Sequence, residues 1–113
     1  MDASKYRVIY GLGLTNAEKA KLQLEVEKMT RALHKGGFVH GDIRDSNLMV
    51  DPGSLSSDEV KVHLVDFDWA GRIGEATYPA GLNCESVRRP AGVGDRKLIT
   101  AEHDIGMVSY LTL

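Results

Sequence analysis

The stretch His40-Gly41-Asp42-Ile43-Arg44-Asp45-Ser46-Asn47-Leu48-Met49-Val50 and the shorter Val65-Asp66-Phe67-Asp68 hold the residue types that phosphoryl transfer to a hydroxyl needs. That chemistry asks for a carboxylate that orients or deprotonates the attacking hydroxyl. It asks for an amide oxygen on the same loop that reaches a phosphate-bound metal, and for a second carboxylate at a neighbouring strand end to hold the bridging Mg²⁺. Asp42, Asn47 and Asp66 supply these groups in that order. A His-x-Asp with Asn five residues after the Asp should arise by chance in fewer than about one in a hundred chains of this length. An Asx-rich turn before a buried strand would explain the first stretch, since Asp and Asn favour turns through local hydrogen bonds. It leaves the second stretch without a reason.

Several elements must position these groups. Residues 6–10, Tyr-Arg-Val-Ile-Tyr, favour a strand by their aromatic and β-branched content, and Gly11-Leu12-Gly13 breaks it. The glycine pair lacks the third glycine and helix start of a dinucleotide fingerprint, so it reads as a turn. Thr15-Asn16-Ala17-Glu18 has capping-box spacing and opens a helix in which Leu22, Val26, Met29 and Leu33 form one apolar stripe. The charges of this helix read as a solvated face, with His34 a surface residue near its C-terminus. Gly36-Gly37 ends it as a left-handed cap. Leu48-Met49-Val50 is a short strand closed by Asp51-Pro52-Gly53, and 54–59 is loop. Val60, Val62 and Leu64 alternate with Lys61 and His63, the period of a strand with one wet face, so His63 reads as exposed and not as a ligand. The two strands make a hairpin that brings Asn47 near Asp66. From Gly71 to about Thr100 periodicity is lost among five glycines and two prolines, and a loop of that length is usually functional or disordered. An apolar helix is expected from Glu102 to the last residues.

Length and composition bound the class. A chain of 113 residues is one domain at most and buries roughly 65% of its extended surface if it folds alone. Hydrophobic content of 42% and charged content of 27% are ordinary for a globular chain. A net charge of −2 and a pI near 6.0 give no footprint for nucleic acid or an anionic membrane, so neither is expected as a partner. Cys84 is the only cysteine, which excludes an internal disulfide and fits a reducing compartment. No run is long enough for a transmembrane helix, and Met1-Asp2-Ala3-Ser4-Lys5 shows no signal-peptide pattern. The expectation is an intracellular chain, cytoplasmic or nuclear.

The order of helix, His-x-Asp loop with Asn, hairpin, Asp-Phe, irregular segment and Asp-bearing buried helix resembles the core of the C-terminal lobe of protein-kinase-like proteins. It is most similar to fungal-type kinase-like proteins, in which His-Gly-Asp is followed by Asp-Phe-Asp-Trp and later by Arg-Pro…Glu-His-Asp, here Arg89-Pro90 and Glu102-His103-Asp104. The resemblance is specific over 38–50 and 64–70 and looser elsewhere. It implies an α+β fold: a hinge strand, long helix, catalytic loop, β-hairpin, activation-like segment and the start of a buried helix. It also implies that residues 1–113 form a partial domain, lacking an N-terminal lobe and the later C-terminal helices.

By the same resemblance, Asp42 matches the catalytic aspartate, and Arg44 stands where a lysine contacts the γ-phosphate. Asn47 and Asp66 match the metal ligands, with Asp68 as a further candidate. His40 matches a packing histidine, and Asp104 the buried aspartate that ties its helix to the loop backbone. ATP and Mg²⁺ are the implied cofactors, and a hydroxyl-bearing protein or small molecule the implied acceptor. Because Asp42 sits on a loop, its loss is expected to leave folding largely intact.

The departures carry information too. Gly41 replaces the arginine of His-Arg-Asp, so a phosphate on Thr77, Tyr78 or Ser86 has no arginine at that loop position to pair with, and activity is expected not to depend on phosphorylation there. Arg88 and Arg89 are the alternative partners. Asp68 replaces the glycine of Asp-Phe-Gly, as in aminoglycoside- and choline-type small-molecule kinases. No Gly-rich loop, and no strand lysine with a helix glutamate, precedes the motifs. The expectation is therefore a phosphotransferase fragment inactive alone. A non-catalytic kinase-like binding module and a small-molecule kinase relative are the alternatives.

Overall fold

The computed structural model describes residues 5–9 and 11–111. Tyr10, Thr112 and Leu113, which belong to the first expected strand and the last expected helix, lie outside them. The first helix, α1 (Asn16–Lys35), begins where the capping box predicts: the Thr15 hydroxyl accepts the Glu18 N–H, and the Glu18 carboxylate accepts the Thr15 N–H. The Thr15 backbone N–H, and after it the Thr15 hydroxyl, hold the Glu18 carboxyl below its usual range. α1 ends at Gly36, and the next residue, Gly37, takes the left-handed φ of 90° that a side chain would resist. Leu22 and Val26 are fully buried on its inner face, each worth about 1.5–3 kcal/mol in apolar burial. Met29 and Leu33 pack on the same cluster. Thr30 lies buried beside them because its hydroxyl is satisfied by the Val26 carbonyl at 2.7 Å.

The sheet that α1 covers has three antiparallel strands in the order β1 (Arg7–Val8), β3 (Leu48–Val50), β4 (Val62–Leu64). Pairing Leu48 with Leu64 and Val50 with Val62 keeps the apolar residues on one face, while Met49 and His63 share the other. The loop between β3 and β4, expected to be irregular, winds into a short 3₁₀ turn over Pro52–Ser56, started by the Asp51 carboxylate accepting the Gly53 N–H. A second, two-stranded sheet joins β2 (Phe38–Val39) to β5 (Gly71–Arg72), elements too short to leave a periodic signal.

The segment 73–100 is an ordered excursion with its own small core. Thr77 bridges Leu98, the Tyr78 N–H donates to the Lys97 carbonyl and the Ile99 N–H to the Ala76 carbonyl. Val39, Tyr78 and Ile99 are buried together, with Trp69, Leu82 and Val93 against them. At its tip, Asp95 accepts the N–H groups of Gly81 and Leu82, both at 2.9 Å, and these bonds hold its carboxyl below the ordinary range. A carboxyl lowered on folding stabilises the folded form above its unfolded value of about 4, and that contribution is lost as pH falls through the folded value. The Gly81 and Leu82 amide resonances should therefore shift and broaden below about pH 4. Invariant Gly81 and Leu82 signals across that range would contradict the role given to Asp95.

The last helix, α2, runs over Ala101–Ser109 and stops before the end of the described chain, shorter than expected. Its start is fixed by Thr100 and by His103, whose Nδ1 accepts the Thr100 N–H. Gly106 lets α2 approach Pro90 closely: a Cβ there would lie 2.5 Å from Pro90 Cγ. α2 packs on α1 through Met107 and Val108, completing the main core.

Candidate functional site

Asp104, fully buried on α2, is the hub that shapes the His40–Asn47 loop. Its Oδ2 accepts the His40 N–H at 2.8 Å and its Oδ1 the Gly41 N–H at 2.9 Å. His34 Nε2 lies 2.9 Å from Oδ2, so His34 is a half-buried partner of Asp104 and not the solvated residue that its position on α1 suggested. The periodicity of α1 could not reveal this, because the partner lies seventy residues away.

His40 is buried and bridges the two motifs. Its Nδ1 accepts the Asp42 N–H at 3.0 Å, which leaves Nε2 as the donor to the Val65 carbonyl at 3.1 Å. Phe67 packs edge-on against its ring. The Asn47 carbonyl accepts the Val65 N–H at 2.9 Å, so the hairpin ladder ends one residue before Asp66. This register is what brings the Asn47 loop and the Asp66 turn together. Asp66 has a φ of 59°, a left-handed conformation that aspartate tolerates better than most residues, and the chain turns there so that Asp66 and Asp68 are both exposed.

Asp42, Arg44, Asp66 and Asp68 line one cleft of about 350 Å³, walled by Trp69, Leu82 and Arg89. Asn47 does not line it. Asn47 is buried behind Asp42, and its Nδ2 donates to the Asp42 carbonyl at 2.9 Å and to Asp42 Oδ2 at 3.1 Å. A larger cleft, about 440 Å³, lies on the other side of Arg44 and holds none of Asp42, Asp66 and Asp68. The smaller one gathers the chemistry.

Asp42 is almost enclosed. Arg89 NH1 donates to its Oδ1 at 3.1 Å, and Arg44 Nε lies 3.2 Å from the same oxygen. The Arg44 contact is an ion pair without hydrogen-bond alignment, since that buried Nε has no hydrogen-bond partner. Arg89 is the residue that sequence reasoning missed. The sequence offered it only as an alternative partner for a segment phosphate and as part of the Arg-Pro step, with no link to Asp42. The two arginines proposed as partners for a segment phosphate are both engaged: Arg89 with Asp42, and Arg88 over the Tyr110 ring at 4.0 Å. Tyr78 is buried, its hydroxyl shared with His103 Nδ1 at 3.1 Å, and burial together with the Asp104 carboxylate pushes its phenol well above the usual range. His63 is exposed on β4 and meets only the Tyr6 ring and hydroxyl among the described contacts.

Gly41 is required by its conformation. Its φ is 92°, and a Cβ there would lie 2.7 Å from Ile99 Cδ1. The Ile99 methyl can swing, so the backbone carries most of the cost. Gly41→Arg, which would write His-Arg-Asp into the loop, should lose about 1–3 kcal/mol of stability. Urea denaturation reads this directly, and a variant as stable as the parent would show that the left-handed turn is dispensable.

Metal chemistry is constrained by the donors. Among the described residues no group of three or more His, Cys, Asp and Glu side chains is arranged to hold a metal ion. The cleft presents two exposed carboxylates, Asp66 and Asp68, which suit a hard cation. Mg²⁺ commonly binds through one or two carboxylates and completes its shell with water and substrate phosphate. The residues fit such an ion only when it arrives with a phosphate ligand.

Among known proteins, casein kinase 1-like protein HD16 of Oryza sativa subsp. japonica is 36% identical over 72 residues, covering 63% of this chain and 10% of the relative. The chain thus spans about a tenth of that relative's length. No protein-family model and no solved structure matches. No helix of the described residues is long and apolar enough to cross a membrane. The fold is α+β, and the partial match points to a protein-kinase-like relationship.

Proposed function

We propose that this chain is the catalytic-loop portion of a protein-kinase-like phosphotransferase that moves the γ-phosphoryl group of ATP to a hydroxyl acceptor. The observation that carries the reading is the joining of two separate motifs in one cleft: Asp42 and Arg44 from the loop, Asp66 and Asp68 from the end of β4. The partial likeness to a casein kinase 1-like protein supports it.

In this reading Asp42 accepts the hydroxyl proton through Oδ2, the oxygen that meets no guanidinium. Arg44, partly exposed and poorly satisfied, faces the transferred phosphoryl group and offsets its charge. Asp66 and Asp68 would hold Mg²⁺ together with the phosphates, while Asn47, behind Asp42, supports that carboxylate through its Nδ2 and would reach the ion only by turning toward the cleft. When bound, the ion neutralises charge on the phosphates during transfer. His40 and Asp104 fix the loop from behind through its backbone.

A second reading, a kinase-like module that binds without catalysis, is favoured by one observation: both oxygens of Asp42 already have protein partners. Incubation of a version extended by an N-terminal lobe with γ-labelled ATP, Mg²⁺ and a panel of serine and threonine peptides and small alcohols separates the readings. Label transfer that is lost in Asp66→Asn is the result expected of a phosphotransferase. Mg²⁺-dependent nucleotide binding without any transfer would favour the binding module.

A further inference from the structure

We propose that Arg89 is a positioning residue for Asp42, turning the carboxylate so that Oδ2 alone is left to meet an acceptor hydroxyl. The acceptor belongs to the phosphotransferase reading above, on which the consequence for turnover rests; the lock itself does not depend on that reading.

The lock is built from several contacts. The Arg89 side chain is only 4% exposed, and its NH1 donates to Asp42 Oδ1 at 3.1 Å. Its Nε donates to the Asn83 carbonyl at 3.1 Å, and its guanidinium lies 5.3 Å from the centre of the Trp69 ring. The next residue, Pro90, is seated against Gly106 with no room for a Cβ between them, which packs the backbone carrying Arg89 against α2. Arg44 adds a second positive charge at Oδ1 without using an aligned hydrogen bond. A carboxylate oxygen accepts about two hydrogen bonds. Oδ1 is flanked by two guanidinium groups, whereas Oδ2 takes one N–H from Asn47 and keeps one acceptor position.

Stability does not require this pair. A buried ion pair is often no better than well-packed apolar side chains of similar volume, because desolvation offsets the attraction. Its distinctive property is direction: the planar guanidinium has fixed donors and cannot be replaced by a point charge without losing them. The segment 83–90 thus contributes a side chain to the cleft from outside both recognised motifs.

Three variants of the full chain test this: Arg89→Met, which keeps the apolar stem against Trp69; Arg89→Lys, which keeps the charge; and Asp42→Asn. The readouts are the side-chain amide signals of Asn47, which report on Asp42 Oδ2, and hydrogen exchange across the loop and α1. With Arg89→Met, the Asn47 signals should shift and exchange of the loop amides rise about tenfold while α1 is unchanged. Arg89→Lys should recover part of that protection, and Asp42→Asn should free the hindered rotation of the Arg89 guanidinium. Unchanged Asn47 signals in Arg89→Met would mean that Arg89 only packs, and would overturn the proposal. If Arg89→Met does not fold, the Arg89→Lys and Asp42→Asn signals decide in its place. Where the protein transfers phosphate, Arg89→Met should lower kcat with KM for Mg–ATP unchanged, and a change in KM alone would also overturn it. Absence of transfer by a lobe-complete version would count against the phosphotransferase reading and leave the spectroscopic result standing.

Discussion

Asp104→Ala should bring the protein to the edge of unfolding. The substitution strips the acceptor from two buried loop N–H groups, His40 and Gly41, and from the half-buried His34 ring. Leaving buried donors unpaired costs about 1–3 kcal/mol per group. Single domains hold only about 5–15 kcal/mol of stability. Thermal and urea denaturation should show a large loss, and the His40 and Gly41 amides should lose protection first. Asp104→Asn should lose less, because it keeps one oxygen acceptor. A small effect of Asp104→Ala would mean that the loop is shaped by something other than α2.

Asp42→Ala should lower phosphoryl transfer by about 10²–10⁴-fold in any preparation that turns over, the usual worth of a positioned general base. Its loop position suggested that folding would be indifferent to the change, and the structure revises that expectation. Asp42 has a side chain 9% exposed and is the carboxylate opposite a buried Arg89, so alanine leaves a guanidinium without a counter-charge. Asp42→Asn keeps the shape and separates the two effects: transfer should fall as far, with a smaller loss of stability. Unchanged transfer in either variant, measured at saturating Mg–ATP, would end the assignment of Asp42 as the base.

Much of the fold was legible because its signals are local. Thr15 and Glu18 mark the start of α1 by a capping box, and Gly37 marks its end by needing a left-handed turn. The alternation through Val62, His63 and Leu64 sets the face of β4, and with it the position of Asp66. What was not legible depends on partners distant in sequence. β2 and β5 are two residues each, too short for any period, and exist because they pair with one another. The order in 73–100 rests on Tyr78 and Ile99, isolated apolar residues that meet only after folding. His34 read as a surface residue and Arg89 as a partner for a segment phosphate, because nothing near them in sequence announces Asp104 or Asp42. The candidate carboxylates were visible from spacing, and His40 and Asp104 through the resemblance; His34 and Arg89, the partners of Asp104 and Asp42, were not.

The claim that this loop and strand end form one phosphate-handling site is tested most directly by residue-resolved titration of the chain with ATP, with and without Mg²⁺. Few protein carboxylates are available to the ion, so neither Mg²⁺ alone nor ATP alone should bind well, and the pair together only weakly. The account predicts shifts centred on Asp42–Asn47 and Asp66–Asp68 that require both components and disappear in Asp66→Asn. Shifts centred elsewhere, shifts indifferent to Mg²⁺, or none at millimolar ligand would contradict it.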